Sequence, residues 1–277
     1  DTGTFLGING VEVSYGKSHV NAWGVVEPVG ILPNPGSTLQ EHIDRALAAG
    51  GIPIVNHPRW TIQFDQQRVT NLVDQIINST GCKYFEIFNY YCEDYYHNGI
   101  AETEYDQVLS SGKLMYCVAG DDAHGLGRAG WHSNYVGAES LTLDAIMDAL
   151  DYGYVYCCRS TTKWDPGIKL TAYTVSGTTP GSTISITADN NAETIQFIGK
   201  NGAILKTVSG TSGSYTIGSN DMYVRVKVSN SSGDMTWTQP VFVGSGGGGG
   251  GSQPPCDGPI DDYEGYDNPT TGTQTTG

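Results

Sequence analysis

The first 160 residues alternate between short apolar runs and stretches in which apolar positions recur at helical intervals. Six runs bounded by glycine, proline or asparagine predict strands at residues 10–15, 19–25, 52–57, 84–89, 114–120 and 154–159. Apolar positions three and four apart predict helices over residues 39–47, 69–77 and 143–150, the first behind a Ser37 or Thr38 cap. Strands that alternate with helices of this length are typical of βα units, so the pattern predicts an α/β fold with a parallel sheet or barrel.

The pattern changes after Pro166. Apolar residues then recur at every second position, as in 183–187, 194–198 and 222–228, between turns of glycine, asparagine and serine. This period predicts a small antiparallel β-sandwich. A run of glycines and a segment rich in proline, threonine, aspartate and tyrosine follow. We therefore expect a barrel-like domain over 1–165, a sandwich over 166–243, a glycine linker over 244–251 and an extended tail over 252–277.

Net charge limits the partners of the chain. Lys and Arg number 14 against 29 Asp and Glu, which gives a formal net charge of −15. Binding to nucleic acid needs clustered cations, and anionic membrane surfaces need them too, so we expect neither partner. No stretch approaches the roughly 20 apolar residues that span a bilayer, so the sequence predicts no transmembrane role.

Several features of composition indicate a secreted or extracellular protein. Lys and Arg are scarce, 17 residues are tyrosine, and six cysteines are compatible with disulfides whose pairing stays open. The N-glycosylation pattern occurs at Asn78-Ser79-Thr80 and at Asn230-Ser231-Ser232, so Asn78 and Asn230 are candidate glycan sites. The chain starts at Asp1 without a signal peptide, which predicts a processed, truncated or partly traced form.

Histidines and carboxylates gather at the predicted strand ends. His57 ends one apolar strand, and Asp122 and His124 lie directly after another. Glu12 and His19 flank a turn between the first two strands. A single histidine after a strand is more often a hydrogen-bonded structural residue than a ligand. Several such residues at one edge of a sheet nevertheless form a candidate metal site.

One further carboxylate and three further histidines lie outside this candidate metal site. Glu86 lies inside a predicted strand, where an unpaired buried carboxylate would be costly. We expect His42 to lie on an exposed helix face, and His97 and His132 to lie in tyrosine-rich or glycine-rich loops; we assign all three structural roles.

The order of these motifs resembles the PHP (polymerase and histidinol phosphatase) family. The matching segments are VEV at 11–13, SHVNAWG at 18–24, GGIPIVNHP at 50–58, FEIFN at 85–89, Tyr105-Asp106 and AGDDAHG at 119–125. YVR at 223–225 and WTQP at 237–240 resemble the sandwich appended to some secreted-type members. The resemblance implies a distorted (β/α)7 TIM-like barrel that holds two or three divalent ions, Zn, Mn or Fe, and hydrolyses phosphoesters.

The resemblance also implies residue roles. Glu12 would be a bridging carboxylate, with His19, His57, Asp122 and His124 as further metal ligands.

Two more residues would take part in catalysis. Arg59 would contact the phosphate, although a surface arginine is as good an interpretation, and Glu86 would orient ligands or pair within the barrel. A hydroxide bridging the ions would attack phosphorus. The N-terminal His-x-His motif of the family is not found, so we expect only part of the barrel, with an open edge.

Two functions from different classes follow. The first is a secreted metal-dependent phosphoesterase, provided that the missing motif is supplied. The second is an extracellular structural or filament subunit, a homo-oligomer that uses the PHP-like scaffold and assembles through its tail or its open barrel edge.

Overall fold

The first half of the chain builds a five-stranded sheet with helices packed against it. The computed structural model describes residues 5–15, 18–26, 37–60 and 66–244. Its first elements are β1 (Gly10–Tyr15), β2 (Ser18–Trp23), α1 (Leu39–Ala48), β3 (Ile52–Val55), α2 (Gln66–Asn78), β4 (Tyr84–Asn89), α3 (Tyr90–Tyr96), α4 (Glu102–Ser110) and β5 (Tyr116–Gly120). The strands lie in chain order, antiparallel from β1 to β3 and parallel from β3 to β5. The two antiparallel pairs make this sheet mixed.

Local sequence signals explain where these helices begin. The Thr38 hydroxyl accepts the N–H of Glu41, and the Glu41 carboxylate accepts the N–H of Thr38 at 2.7 Å, which is a capping box. Asn89 caps α3 by accepting the N–H of Cys92 at 2.8 Å. The predicted helices at 39–47, 69–77 and 143–150 are confirmed, whereas α3 and α4 were not predicted because their sequences are rich in tyrosine and acidic residues.

The second half is antiparallel throughout. It contains β6 (His132–Val136), α5 (Leu143–Asp151), β7 (Val155–Arg159), β8 (Leu170–Val175), β9 (Thr183–Ala188), β10 (Thr194–Gly199), β11 (Ala203–Ser209), β12 (Ser212–Thr216), β13 (Tyr223–Ser229), β14 (Met235–Trp237) and β15 (Val241–Phe242). The second sheet has the order β11-β10-β13-β14-β7-β6, with β15 beside β13, and the third has the order β12-β9-β8. Ile184, Phe197 and Val226 belong to the apolar core shared by these two sheets.

The predicted α/β fold with a (β/α)7 TIM-like barrel is wrong. The chain is mostly β, with 36% strand and 23% helix, and its three sheets form no closed barrel within the described residues. The strands that follow β5 in the chain, β6 and β7, pair antiparallel with each other. They belong to the second sheet, in which β7 also pairs with β14. A run buried on both faces, such as residues 155–159, suits a central strand of either direction, so the apolar pattern did not distinguish the two.

Side-chain amides cover the outer edge of β5, which pairs with no further strand in the part of the chain that the structure describes. The Asn134 carboxamide accepts the N–H of Ala119 and donates to its carbonyl, both at 2.9 Å. Gln239 accepts the N–H of Cys117 at 2.6 Å and donates to its carbonyl at 2.8 Å. Each amide takes the place of a neighbouring strand, so the buried backbone groups stay paired and the first sheet is attached to the second.

A buried ion pair makes a further connection between the two halves. Arg225 on β13 donates from Nε and Nη2 to the two oxygens of Asp106 on α4, at 2.8 and 2.7 Å. Tyr223 donates its hydroxyl to the same carboxylate at 2.8 Å. Glu102 lies 3.2 Å from Arg225 Nη2 and 2.6 Å from Lys227 Nζ. A bidentate pair with every oxygen engaged is the arrangement in which two buried charges hold each other in place.

Several expectations concern residues at the margins of this fold. The five described cysteines are buried thiols with no disulfide among them, whereas Cys256, the tail and the linker beyond Gly244 lie outside the described residues. Asn78 is exposed at the end of α2, and Asn230 donates to Asp234 at 3.0 Å.

Among the described helices, none combines the length and the apolar character that crossing a membrane requires.

Substitution of Asp106 by asparagine tests the buried ion pair. It keeps the shape of the side chain but removes the negative charge bound by Arg225, and we expect a loss of about 3 kcal/mol in the free energy of unfolding. Urea unfolding of the full chain measures the loss, with the exposed helix residue Asp148→Asn as the matched control, for which we expect a change within about 0.5 kcal/mol. Equal midpoints for both variants would contradict the assigned role.

The pH dependence of stability tests Glu102. Burial of this carboxyl opposes ionisation, but the charges of Arg225 and Lys227 prevail and lower its pKa. A carboxyl with a lowered pKa stabilises the fold fully above the unfolded value of about 4.3, and this contribution is lost as the pH falls through the folded value. The difference in unfolding free energy between the parent and Glu102→Gln should therefore shrink as the pH falls below about 4.3. A difference that stays constant in acid would contradict this.

Candidate functional site

Three ligand-type side chains meet at one end of the first sheet. Glu12 belongs to β1, His19 to β2, and His57 follows β3 by two residues. Glu12 Oε1 lies 2.8 Å from His19 Nδ1 and 3.7 Å from His57 Nε2, and one ligand atom from each residue lies within 4.8 Å of the other two. Trp60 packs against both imidazoles, with ring centroids 5.2 and 5.4 Å away. Neighbouring strands thus bring together residues that are distant in sequence.

The loop after β5 places a second carboxylate beside this cluster. Asp122 Oδ2 lies 3.9 Å from His57 Nε2. His124 lies on the far side of that carboxylate, with Nε2 at 3.4 Å from Asp122 Oδ1, and its largely exposed ring packs edge-on against Tyr91. Of the five predicted metal ligands, the structure brings together Glu12, His19 and His57, with Asp122 adjacent and His124 at the rim.

Glu86 supports this cluster from inside the sheet. Its buried carboxylate accepts the N–H of His57 at 2.5 Å and the Nδ2 of Asn89 at 3.1 Å. Burial raises the pKa of Glu86 to about 7, against the positive charge of His57 and these two donors. Gly120 is required beside it, because a Cβ there would lie 1.9 Å from Glu86 Oε1. The carboxylate therefore holds the backbone of His57 in position.

Two of the predicted ligands have unusual backbone conformations. His57 has a φ of 27° and Asp122 a φ of 50°, the left-handed region that residues other than glycine rarely adopt. The Glu86 bond to the His57 N–H and a 3.4 Å contact from Asn89 Nδ2 to Asp122 hold these conformations. Strain that the surroundings maintain is found preferentially at functional sites.

The electrostatics of the cluster favour a bound cation. The imidazoles of His19, 2.8 Å away, and of His57 lower the pKa of Glu12 far below its usual range, although partial desolvation opposes this. Burial opposes protonation of His57, yet the neighbouring carboxylates of Glu12, Glu86 and Asp122 raise its pKa. Carboxylates thus surround the imidazole closely enough to draw a proton onto it, and a metal ion would satisfy the same negative charge.

Two separations between ligand atoms are close to those around a metal ion, in a cluster whose ligand atoms lie within 4.8 Å of one another. Ligands bound at about 2.0–2.2 Å to a tetrahedral ion lie roughly 3.3–3.6 Å apart. The separations of His57 from Glu12, 3.7 Å, and from Asp122, 3.9 Å, are close to this. The 2.8 Å contact of Glu12 with His19 is a hydrogen bond that an ion would replace. Imidazole and carboxylate donors suit zinc, manganese and iron.

An open cavity of about 240 Å³ adjoins the cluster. Glu12, His57 and Asp122 line it together with Asn56, whose buried Oδ1 has no hydrogen-bond partner among the described residues. No Lys or Arg belongs to the described lining of the cavity. Such a lining provides negative charge and neutral amides, but no fixed positive charge for an anion.

A second histidine lines the same cavity. His132 Nδ1 lies 2.9 Å from Asp121 Oδ1, although the ring N–H does not point straight at that oxygen. Asp121 also accepts the N–H of Gly130 at 2.5 Å and the N–H of Trp131 at 3.2 Å. Sequence reasoning assigned His132 to a loop with a structural role. No spacing links His132 to the other histidines, so the sequence contained no signal for its position.

Arg59 is not among the residues that line this cavity. Its Nη1 donates to the carbonyl of Ile100 at 3.1 Å, and its Nε lies 3.7 Å from Glu104 Oε1. The guanidinium is thus engaged with the start of α4, and the cavity lining does not include it. Its predicted contact with phosphate stays a prediction.

Comparison of the chain with protein-family models, with curated proteins and with solved structures found no match. The resemblance to the PHP family therefore stays a prediction from the order and spacing of the motifs.

Replacement of Gly120 by alanine tests the support that Glu86 gives to His57. The added methyl group must displace the carboxylate, which removes the bond to the His57 N–H and destabilises the fold by about 1–3 kcal/mol. Gly127→Ala is the matched control, because a Cβ there meets no atom within 4 Å. Urea unfolding and zinc titration of both variants measure the effects. Indistinguishable stability and zinc affinity would show that the carboxylate is not needed where it lies.

Proposed function

We propose that this chain binds a divalent metal ion through Glu12, His19 and His57 and uses it to hydrolyse a phosphoester. The observation that carries the proposal is the convergence of these three side chains from three neighbouring strands, with ligand atoms within 4.8 Å of one another. Asp122 lies beside them and offers a further oxygen ligand, 3.9 Å from His57 Nε2.

In this proposal the ion would activate water and the phosphoryl group, and the chain binds and orients the ion. A bound divalent ion lowers the pKa of a water molecule and polarises a phosphoryl oxygen. The chain binds it with two imidazoles and a carboxylate, and the Glu86 bond to the His57 N–H orients one of those imidazoles from behind. The adjoining cavity leaves room for substrate.

The negative charge of the cavity lining favours more than one bound metal ion. Its lining includes Glu12, Glu86, Asp121 and Asp122, and the described lining contains no Lys or Arg. A phosphoester is an anion, so it binds there only if cations neutralise both these carboxylates and the phosphoryl oxygens. This supports the expectation of two or three divalent ions, and the motif resemblance supports the choice of a phosphoester.

One observation favours the second candidate, an extracellular structural subunit. Within the described ranges, β1 pairs with β2 alone, so its outer edge presents unpaired backbone groups. A strand from another copy of the chain could pair with that edge, as in β-strand addition. Secretion and glycosylation at Asn78 and Asn230 remain predictions under either function.

Metal content and hydrolysis test the proposal together. For protein purified without chelator, we expect mass spectrometry to find at least about two equivalents of zinc, manganese or iron per chain. Glu12→Gln and His19→Ala should each weaken zinc binding by more than about tenfold and abolish hydrolysis of bis(p-nitrophenyl) phosphate. Chelation should remove the activity, and added Zn²⁺ or Mn²⁺ should restore it.

The matched control is His97→Asn. His97 ends α3 in the left-handed conformation, which asparagine tolerates, and it is not part of the cavity lining. It should keep both the metal and the activity. Parent protein that stays free of metal after Zn²⁺ or Mn²⁺ is added would contradict the proposal.

A further inference from the structure

A histidine and a carboxylate that the metal cluster does not use line the same cavity. His132 is on β6, and its Nδ1 lies 2.9 Å from Asp121 Oδ1. The other ring nitrogen, Nε2, makes no hydrogen bond within the described part of the chain. It is not one of the buried polar atoms that lack a partner, so it is accessible to solvent. One side of the imidazole therefore lies beside a carboxylate, and the other side is open to a ligand.

We propose that His132 is the general acid that protonates the leaving group in phosphoester hydrolysis, and that Asp121 is the residue that positions it. This inference rests on the proposed function and adds to it a residue outside the metal cluster. It also implies a substrate class: phosphoesters whose leaving group is an alkoxide, since an alkoxide needs a proton as it departs.

Asp121 is fixed firmly enough for a positioning role. It is buried, and the N–H groups of Gly130 and Trp131 occupy its two oxygens at 2.5 and 3.2 Å. A carboxylate with two backbone donors cannot turn away from the imidazole without losing them. Its position 2.9 Å from Nδ1 favours a proton on that nitrogen, as a buried carboxylate does for a catalytic histidine in other hydrolases.

The strand that carries His132 is fixed as well. Asn134 lies two residues further along β6, so it is on the same face as His132 and also lines the cavity. Its two hydrogen bonds to Ala119, both 2.9 Å long, attach β6 to β5. Asp122 follows β5 by two residues. One rigid connection thus sets the position of His132 relative to the carboxylate beside the metal ligands.

The step balances in atoms and charge. A water oxygen bonds to phosphorus while the bond from phosphorus to the leaving oxygen breaks, and both electrons of that bond go to the leaving oxygen. The Nε2 proton of the His132 imidazolium passes to this oxygen, which departs as an alcohol. The proton that the attacking water loses restores the imidazolium, so the net reaction is ester plus water to acid plus alcohol.

Leaving-group dependence tests the assignment in the metal-loaded full chain. Two phosphodiesters of the same phosphoryl group are compared, one releasing p-nitrophenolate, which departs without a proton, and one releasing glycerol. His132→Asn should lower kcat for the glycerol ester by about 10²–10⁴-fold and change kcat for the p-nitrophenyl ester by less than about tenfold. Asp121→Asn should show the same selectivity, and His97→Asn should change neither rate.

A second measurement does not depend on turnover. Nitrogen-15 NMR of the imidazoles should find that neutral His132 carries its proton on Nδ1 in the parent, and this preference should be lost in Asp121→Asn. If His132→Asn does not fold, Asp121→Asn and this spectrum carry the test.

The possible outcomes separate the two claims. Equal losses for both esters in His132→Asn, or no loss, would overturn the general acid and leave the metal hydrolase intact. A parent protein that binds metal but hydrolyses neither ester would overturn the proposed function and this inference with it.

Discussion

The fold depends on how the outer edge of β5 is completed. This buried strand ends the first sheet within the described residues, and the carboxamides of Asn134 and Gln239 supply the hydrogen bonds that a neighbouring strand would give. Without them, the N–H groups of Cys117 and Ala119 would be buried unpaired, each at a cost of about 1–3 kcal/mol. The same bonds attach the antiparallel half of the molecule to the mixed sheet.

This junction also creates the candidate site. The end of β5 presents the loop with Asp121 and Asp122, so it meets the metal cluster on one side and β6 on the other. Glu12 and His57 come from the first sheet, whereas His132 comes from the second, and all three line one cavity. A site that spans two sheets requires that the two sheets keep a fixed position relative to each other. The carboxamides of Asn134 and Gln239, and the buried ion pair between α4 and β13, hold them in that position.

The sequence predicted the pieces of this fold better than their arrangement. Its apolar runs located β3, β4, β5 and β7, because burial leaves a pattern in the residues themselves. The direction of a strand leaves no such pattern, so residues 155–159 were assigned to a parallel barrel although they pair antiparallel. Strand β6 was missed because its half-buried residues include histidine, serine and asparagine and show no alternation. Likewise, the positions of Glu12, His19 and His57 near predicted strand ends indicated a candidate metal site. The carboxamides of Asn134 and Gln239, which complete the edge of β5, belong to no sequence motif and could not be predicted.

The central claim is that Glu12, His19 and His57 hold a divalent ion, and anomalous X-ray diffraction from zinc-loaded crystals tests it most directly. We predict an anomalous peak within bonding distance, about 2.0–2.2 Å, of Glu12 Oε1 and one nitrogen of each histidine, whether or not further ions lie in the cavity. The 2.8 Å hydrogen bond between Glu12 and His19 should then be absent. Zinc located elsewhere on the chain, with that hydrogen bond still in place, would contradict the account.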